Sequence, residues 1–153
     1  MSLQSQSHGD EPGKPQLAAE RERAARTLAS RDITPTPQRV EIARILFARP
    51  QHLSAEQVLC ALKKRQLAVS KATVYNTLGL FAEKGLVREV IVDPNKVFYD
   101  SNCSDHYHFY DVDSCTLTDI DAGKIAIDSL PDVPQGKVVE RVDVIVRVRS
   151  RGE

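Results

Sequence analysis

The stretch SKATVYNTLGLFAEKGLVREVIVDPNKVFYD, residues 70–100, changes its period half-way along. Up to Gly85 it reads as a helix: Ser70 is a good N-cap, Val74, Leu78 and Phe81 share one face, and Gly85 is a natural C-terminal stop. After Gly85 the pattern becomes extended. LVREVIV (86–92) and KVFYD (96–100) read as strands joined by the turn DPN (93–95).

Three further helices precede this unit. LAAERERAARTLAS (17–30) is rich in Ala, Leu, Arg and Glu, all good helix formers. TPQRVEIARILFAR (36–49) offers Thr36 as N-cap and Pro37 at the first helical position. SAEQVLCALKKRQ (54–66) opens on Ser54 with Gln57 three residues on, the pattern of a capping box, and carries Val58, Leu59 and Leu62 as an apolar stripe. Helices of this length followed by a two-stranded hairpin make a winged helix-turn-helix, whose last helix enters the DNA major groove. Lys71, Thr73, Tyr75 and Asn76 then lie near the start of the recognition helix, with Arg39 as a further phosphate contact. Asn pairs bidentately with adenine, Thr and Tyr reach phosphates or thymine methyls, and Lys adds charge. The same residues also suit the solvent face of an ordinary packed helix.

The whole chain of 153 residues is net neutral, yet its charge is divided. Residues 17–92 hold 13 Lys/Arg against 7 Asp/Glu, and residues 93–153 hold 7 against 12. A basic first half suits a polyanion and an acidic second half suits cations. Residues 1–16 are rich in Ser, Gln, Gly and Pro and read as a disordered tail. No apolar run approaches a membrane span and the N-terminus lacks the apolar core of a signal peptide, so a cytoplasmic protein is expected. Cys60, Cys103 and Cys115 form no C-x-x-C pair, which argues against a disulfide framework and a four-thiolate zinc site. Cys60 is expected in the core, on the apolar face of its helix.

Beyond residue 100, HFYDV (108–112) and TLTDI (116–120) read as strands and AGKIAIDSL (122–130) as a short helix. KVVERVDVIVRVRS (137–150) alternates, with Val138, Val142, Val144, Val146 and Val148 on one side, and is expected to be a long half-buried strand. An α+β unit of about 55 residues is small to stand alone, which points to a dimer that completes its core. His106 and His108 project to one side of a strand, with Asp100 at the end of the wing, Asp119 on the next strand and His52 before the third helix. Imidazole suits iron, manganese or zinc, and added carboxylates favour manganese or ferrous iron. Solvated surface residues remain the plain alternative.

Taken together, these segments resemble the ferric uptake regulator (Fur) superfamily. The resemblance runs from about residue 17 to 149 and rests on TPQR (36–39), HLSAEQV (52–58), VSKATVYNTL (69–78), EKGLV (83–87) and DHYHF (105–109), in that order and spacing. It implies an α+β chain: a winged-helix DNA-binding domain (17–92), a wing strand and hinge (93–100) and a dimerisation and metal-sensing domain (101–153). The metal-ligand pattern is similar to that of the peroxide regulators. It implies His52, Asp100, His106, His108 and Asp119 as a five-ligand site for one ferrous or manganous ion per chain, since Asp100 stands six residues before His106 and Asp119 thirteen after it. FYDSN and LPDVPQGKVVERVDVIVRVR (130–149) are instead similar to the iron response regulators. Those typically carry three successive histidines where this chain has His106, Tyr107 and His108, and some bind haem through a Cys-Pro motif that is missing here. Many family members hold a structural zinc with two C-x-x-C pairs. Asp111 and Ser114 occupy the first pair's positions, so no structural zinc is expected.

The resemblance implies a homodimeric repressor that reads a palindromic operator and whose metal sets the angle between DNA-binding domain and dimer core. It further implies peroxide sensing, with His52 or His106 oxidised by the reaction at bound iron. The alternative within the family is a regulator of iron or haem status. From other classes come a metalloenzyme and a metal-buffering module, neither of which requires KATVYNT; the expected protein is not an enzyme.

Overall fold

The computed structural model describes residues 13–152; residues 1–12, most of the expected tail, and residue 153 lie outside them. Helix α1 spans Lys14–Ala29, starting before Leu17 because Pro15 is tolerated in a first helical turn. Then follow α2 (Pro37–Phe47), β1 (His52–Ser54), α3 (Ala55–Lys64), α4 (Lys71–Glu83), β2 (Arg88–Asp93) and β3 (Lys96–Asp100). The second half adds β4 (His106–Asp111), β5 (Thr116–Asp121), a 3-10 turn (Ala122–Lys124) and β6 (Ile145–Val148).

The helix starts are set by the side chains the sequence offered. Thr36 Oγ1 accepts from the Arg39 amide at 3.3 Å, and Ser70 Oγ from the Thr73 amide at 3.1 Å. At α3 the capping box is complete: the Gln57 amide donates to Ser54 Oγ at 3.2 Å and the Ser54 amide to Gln57 Oε1 at 2.8 Å. Helix α4 ends at Gly85, whose φ of 73° closes a Schellman motif with Leu86 N–H on the Phe81 carbonyl and Gly85 N–H on that of Ala82.

Leu28, Ile42, Leu46, Val58, Leu62, Val74, Leu78 and Phe81 form the centre of the helical core. Each such side chain removed from water contributes about 1.5–3 kcal/mol. Across α1 and α2, Glu41 accepts from Arg21 and Arg44 at 2.6 Å each, and Arg44 also reaches Glu20 at 2.8 Å. Cys60, expected in the core, is exposed. The buried residues of α3 are Ala55, Val58 and Leu62, and a residue two positions beyond Val58 points to the opposite side of a helix.

The wing is a three-stranded antiparallel sheet in the order β1-β3-β2, not the two-stranded hairpin expected. His52 lies opposite Asp100 in the β1–β3 pair. The second sheet has the order β5-β4-β6, with β4 antiparallel to β5 and parallel to β6. Val90, Val92 and Phe98 of the wing form one apolar cluster with Tyr110 and Leu117 of the second sheet, and Ile145 packs against it.

Two expectations for the second half need correction. Of 122–130 only Ala122–Lys124 is helical, and of 137–150 only Ile145–Val148 is strand. The alternating valines are also the uncovered side. Val146 and Val148 face outward, as does Phe109 opposite Val146, while Ile145 and Arg147 face the wing. Val138 is 89 % exposed. Among the described residues nothing covers this apolar face, and the strand is limited to the four residues that pair with β4.

Candidate metal centre and nucleic-acid interface

The five side chains singled out as ligands lie in one place. Strand β1 supplies His52 and the end of β3 supplies Asp100; the second sheet adds His106 and His108 from β4 and Asp119 from β5. The i, i+2 spacing turns both β4 histidines to one face, and the register sets Asp119 directly opposite His108. Asp100, His106, His108 and Asp119 each present a donor atom within 4.8 Å of the others. His52 adjoins them, with its Nε2 3.2 Å from Asp119 Oδ1.

The detail is finer than a cluster of charges. Asp100 Oδ2 lies 2.8 Å from His106 Nε2 and 3.0 Å from His108 Nε2. Asp119 Oδ1 lies 3.5 Å and 3.4 Å from the same two nitrogens. Two donors bound to one ion at about 2.1 Å and at right angles lie about 3 Å apart, so these spacings suit the edges of a coordination sphere. The donor set of three imidazoles and two carboxylates fits a first-row divalent ion, and the carboxylates balance its charge.

His106 is oriented for that role. Its Nδ1 meets the Ser104 carbonyl at 2.6 Å, an oxygen that can only accept, so Nδ1 carries a proton and Nε2 is turned into the cluster toward Asp100. Burial pushes the His106 pKa down, but the Ser104 carbonyl and the Asp100 carboxylate outweigh it and raise the pKa above its usual value. Asp100 is 1 % exposed. Burial pushes its carboxyl up; hydrogen bonds from His108, the Asn102 amide and His106 outweigh that and hold it below the usual carboxylate range. A buried carboxylate without such partners is costly, and here every partner belongs to the cluster or its adjoining turn. Asp119, by contrast, has a half-exposed side chain, which makes its side the approach from solvent.

The DNA candidates sit elsewhere, on α4 and the start of α2. Lys71, Tyr75 and Asn76 are exposed, Thr73 and Arg39 partly so. The Lys71 ammonium lies 5.8 Å from the Tyr75 ring centre, a spacing that holds both on one stretch of surface. Thr73 is engaged in the cap, accepting from Ser70 Oγ at 2.8 Å. Arg39 faces the same cleft of about 320 Å³ as Thr73 and Asn76, with Thr36, Gln38 and Thr77. Its guanidinium donates to the Thr34 carbonyl at 3.0 Å.

Ser104 went unnoticed in the sequence, because its contribution is a backbone carbonyl. So did β1, which carries His52 to the site: three residues give no period to read.

The sequence pattern of the Ferric uptake regulator family matches residues 30–137. The chain belongs to that family. Among curated family relatives, it is 37% identical over 91 residues to the peroxide operon regulator of Bacillus subtilis, which spans 60% of this chain and 63% of that protein. It is 33% identical over 89 residues to the peroxide-responsive repressor PerR of Staphylococcus epidermidis, spanning 58% of this chain and 59% of the relative. The match thus spans about three fifths of the length of these relatives. The fold is also that of solved family structures. The ferric uptake regulator of Pseudomonas aeruginosa with manganese aligns with a TM-score of 0.65 at 24% identity, covering 84% of this chain and 98% of that one. The Francisella tularensis regulator with iron aligns at 0.62 and 22% identity, covering 76% and 90%.

Proposed function

We propose that this protein is a homodimeric, metal-dependent DNA-binding repressor that holds a ferrous or manganous ion at His52, Asp100, His106, His108 and Asp119, and senses peroxide when that ion is ferrous iron. One observation carries the reading. The five donors come from two sheets, His52 and Asp100 from the wing and the other three from β4 and β5. A ligand set shared in this way favours one angle between the recognition helix and the second sheet, and it strengthens DNA binding only to the extent that it favours that angle. The peroxide regulators among the relatives support this choice over the other branches of the family.

Helix α4 is assigned to the major groove, with Tyr75 and Asn76 on base edges and Lys71, Thr73 and Arg39 on the backbone. The bare face of Phe109, Val146 and Val148 is assigned to a second copy of the chain, giving a twofold dimer and a palindromic operator in the cytoplasm. Asp111 and Ser114 offer no thiolate, so no structural zinc is assigned.

Ferrous iron held by these five residues would supply the electrons for peroxide reduction. Asp119 leaves the solvent side open, and His52 and His106 beside it would be the side chains oxidised. The Ser104 carbonyl holds the His106 ring in place.

The test is fluorescence anisotropy on a labelled duplex from the gene's upstream region, in chelator, in Mn(II) and in anaerobic Fe(II), before and after peroxide. Binding with either metal is expected, with loss only in the iron sample and a mass increase on His52 or His106. Equal binding in chelator, or binding indifferent to peroxide with iron, overturns the reading.

A further inference from the structure

Three thiols are exposed, and their surroundings differ. Cys60 lies on the outer side of α3. Cys103 Sγ donates to the carbonyls of Leu86 and Gly85 at 3.6 and 3.7 Å. Cys115 meets the opposite partner. It closes the turn between β4 and β5, in the left-handed region at φ 55°, and its Sγ lies 2.9 Å from Lys96 Nζ at the start of β3. Lys96 also donates to the buried Tyr110 hydroxyl at 3.3 Å, which fixes the ammonium against the sulfur. The Val112 carbonyl is a more distant neighbour of the same sulfur, at 4.0 Å. Wing and second sheet therefore meet at a lysine–cysteine pair as well as at the apolar cluster.

We propose that Cys115 is a peroxide-reactive thiol, activated by Lys96, that is oxidised to a sulfenic acid independently of any bound metal. The Cys115 thiolate gives an electron pair to one peroxide oxygen. The S–O bond forms and the O–O bond breaks; sulfur is oxidised by two electrons and peroxide is reduced. The leaving hydroxide takes a proton from the Lys96 ammonium and departs as water, and solvent reprotonates the lysine. The hydrogen bonds from Lys96 and then Tyr110 lower the thiol pKa, against smaller opposing pushes from burial and the Asp111 carboxylate. An exposed thiol of ordinary pKa is only a few per cent ionised near neutrality, so this neighbourhood raises the reactive fraction. Oxidation also removes the anionic partner of Lys96 at the wing.

The test uses the full chain in excess chelator, so that no ion contributes. Dilute hydrogen peroxide is added with dimedone to trap sulfenic acid, and the peptides bearing Cys60, Cys103 and Cys115 are followed by mass spectrometry from pH 6 to 9. Cys115 is expected to label first, with its rate levelling off at lower pH than that of an ordinary exposed thiol. Lys96→Gln should slow Cys115 by about tenfold and leave the other two unchanged, and Lys96→Arg should restore most of the rate. Circular dichroism checks that both variants fold; if one does not, the order of the three thiols in the unchanged chain decides. Equal labelling of the three thiols, or a Cys115 rate indifferent to Lys96→Gln, overturns the proposal. The outcome is independent of DNA binding, so it stands or falls apart from the proposed repressor function.

Discussion

His52 and Asp100 face each other across the β1–β3 pair, forty-eight positions apart in the chain. The pairing is what gives the wing two donors for a site whose other three residues belong to the second sheet. It is held on one flank by Ser101, whose amide donates to the Gln51 carbonyl at 3.0 Å and whose hydroxyl accepts from the Gln51 amide at 3.2 Å.

The donor cluster predicts which side chains metal binding needs. Asp119→Ala should weaken Mn(II) binding by about 100-fold or more, because changing even a group that only orients a ligand costs about 10- to 100-fold. Isothermal titration under anaerobic conditions measures it. Asp119 is half exposed, so the variant should keep its thermal stability without metal.

On α4, charge and base reading should separate. Lys71→Ala should weaken binding to specific and random duplexes alike and reduce the salt slope by about one. Asn76→Ala should cost about 1–3 kcal/mol on the preferred site and much less on random DNA. Anisotropy titrations over a range of salt concentrations distinguish the two patterns.

The bare face predicts an assembly defect. Val146→Glu places a charge on the outward side of β6, beside Phe109. Sedimentation should show a monomer for the variant and a dimer for the unchanged chain, while the far-ultraviolet circular dichroism of the helices remains.

The α1–α2 ion network should shape acid stability. Arg44 is almost wholly buried and holds both Glu41 and Glu20. Arg44→Met should therefore cost about 3 kcal/mol in urea unfolding at pH 7. The hydrogen bond from Arg44, then its charge, hold the Glu20 carboxyl below its usual pKa. A lowered folded-state pKa means that this contribution is complete above the ordinary carboxylate range and is lost as pH falls through the lowered value. Urea midpoints between pH 7 and pH 3 should fall less steeply in the variant.

How much of this was legible in the sequence depended on whether the signal was local. Helix α4 and its hairpin could be read because Ser70, Gly85 and the apolar spacing each act within a few residues. His106 and His108 could be placed on one face from strand geometry alone. Strand β1 could not, since His52–Ser54 becomes a strand only by pairing with β3. Cys60 was misjudged because Leu59 and Leu62 suggested a broader apolar face than α3 buries. The valines of 137–150 marked an apolar face correctly but carried no information about what covers it.

The apolar cluster of Val90, Val92, Phe98, Tyr110 and Leu117 joins the three-stranded sheet to the second sheet, with Ile145 packed against it. Pulling the two halves apart would expose those side chains to water at about 25 cal/mol for each Å². If metal binding alters the angle as proposed, this cluster would be the fulcrum of the movement. A small donor shift at Asp119 would then become a larger sweep at the far end of α4, as at the long arm of a lever.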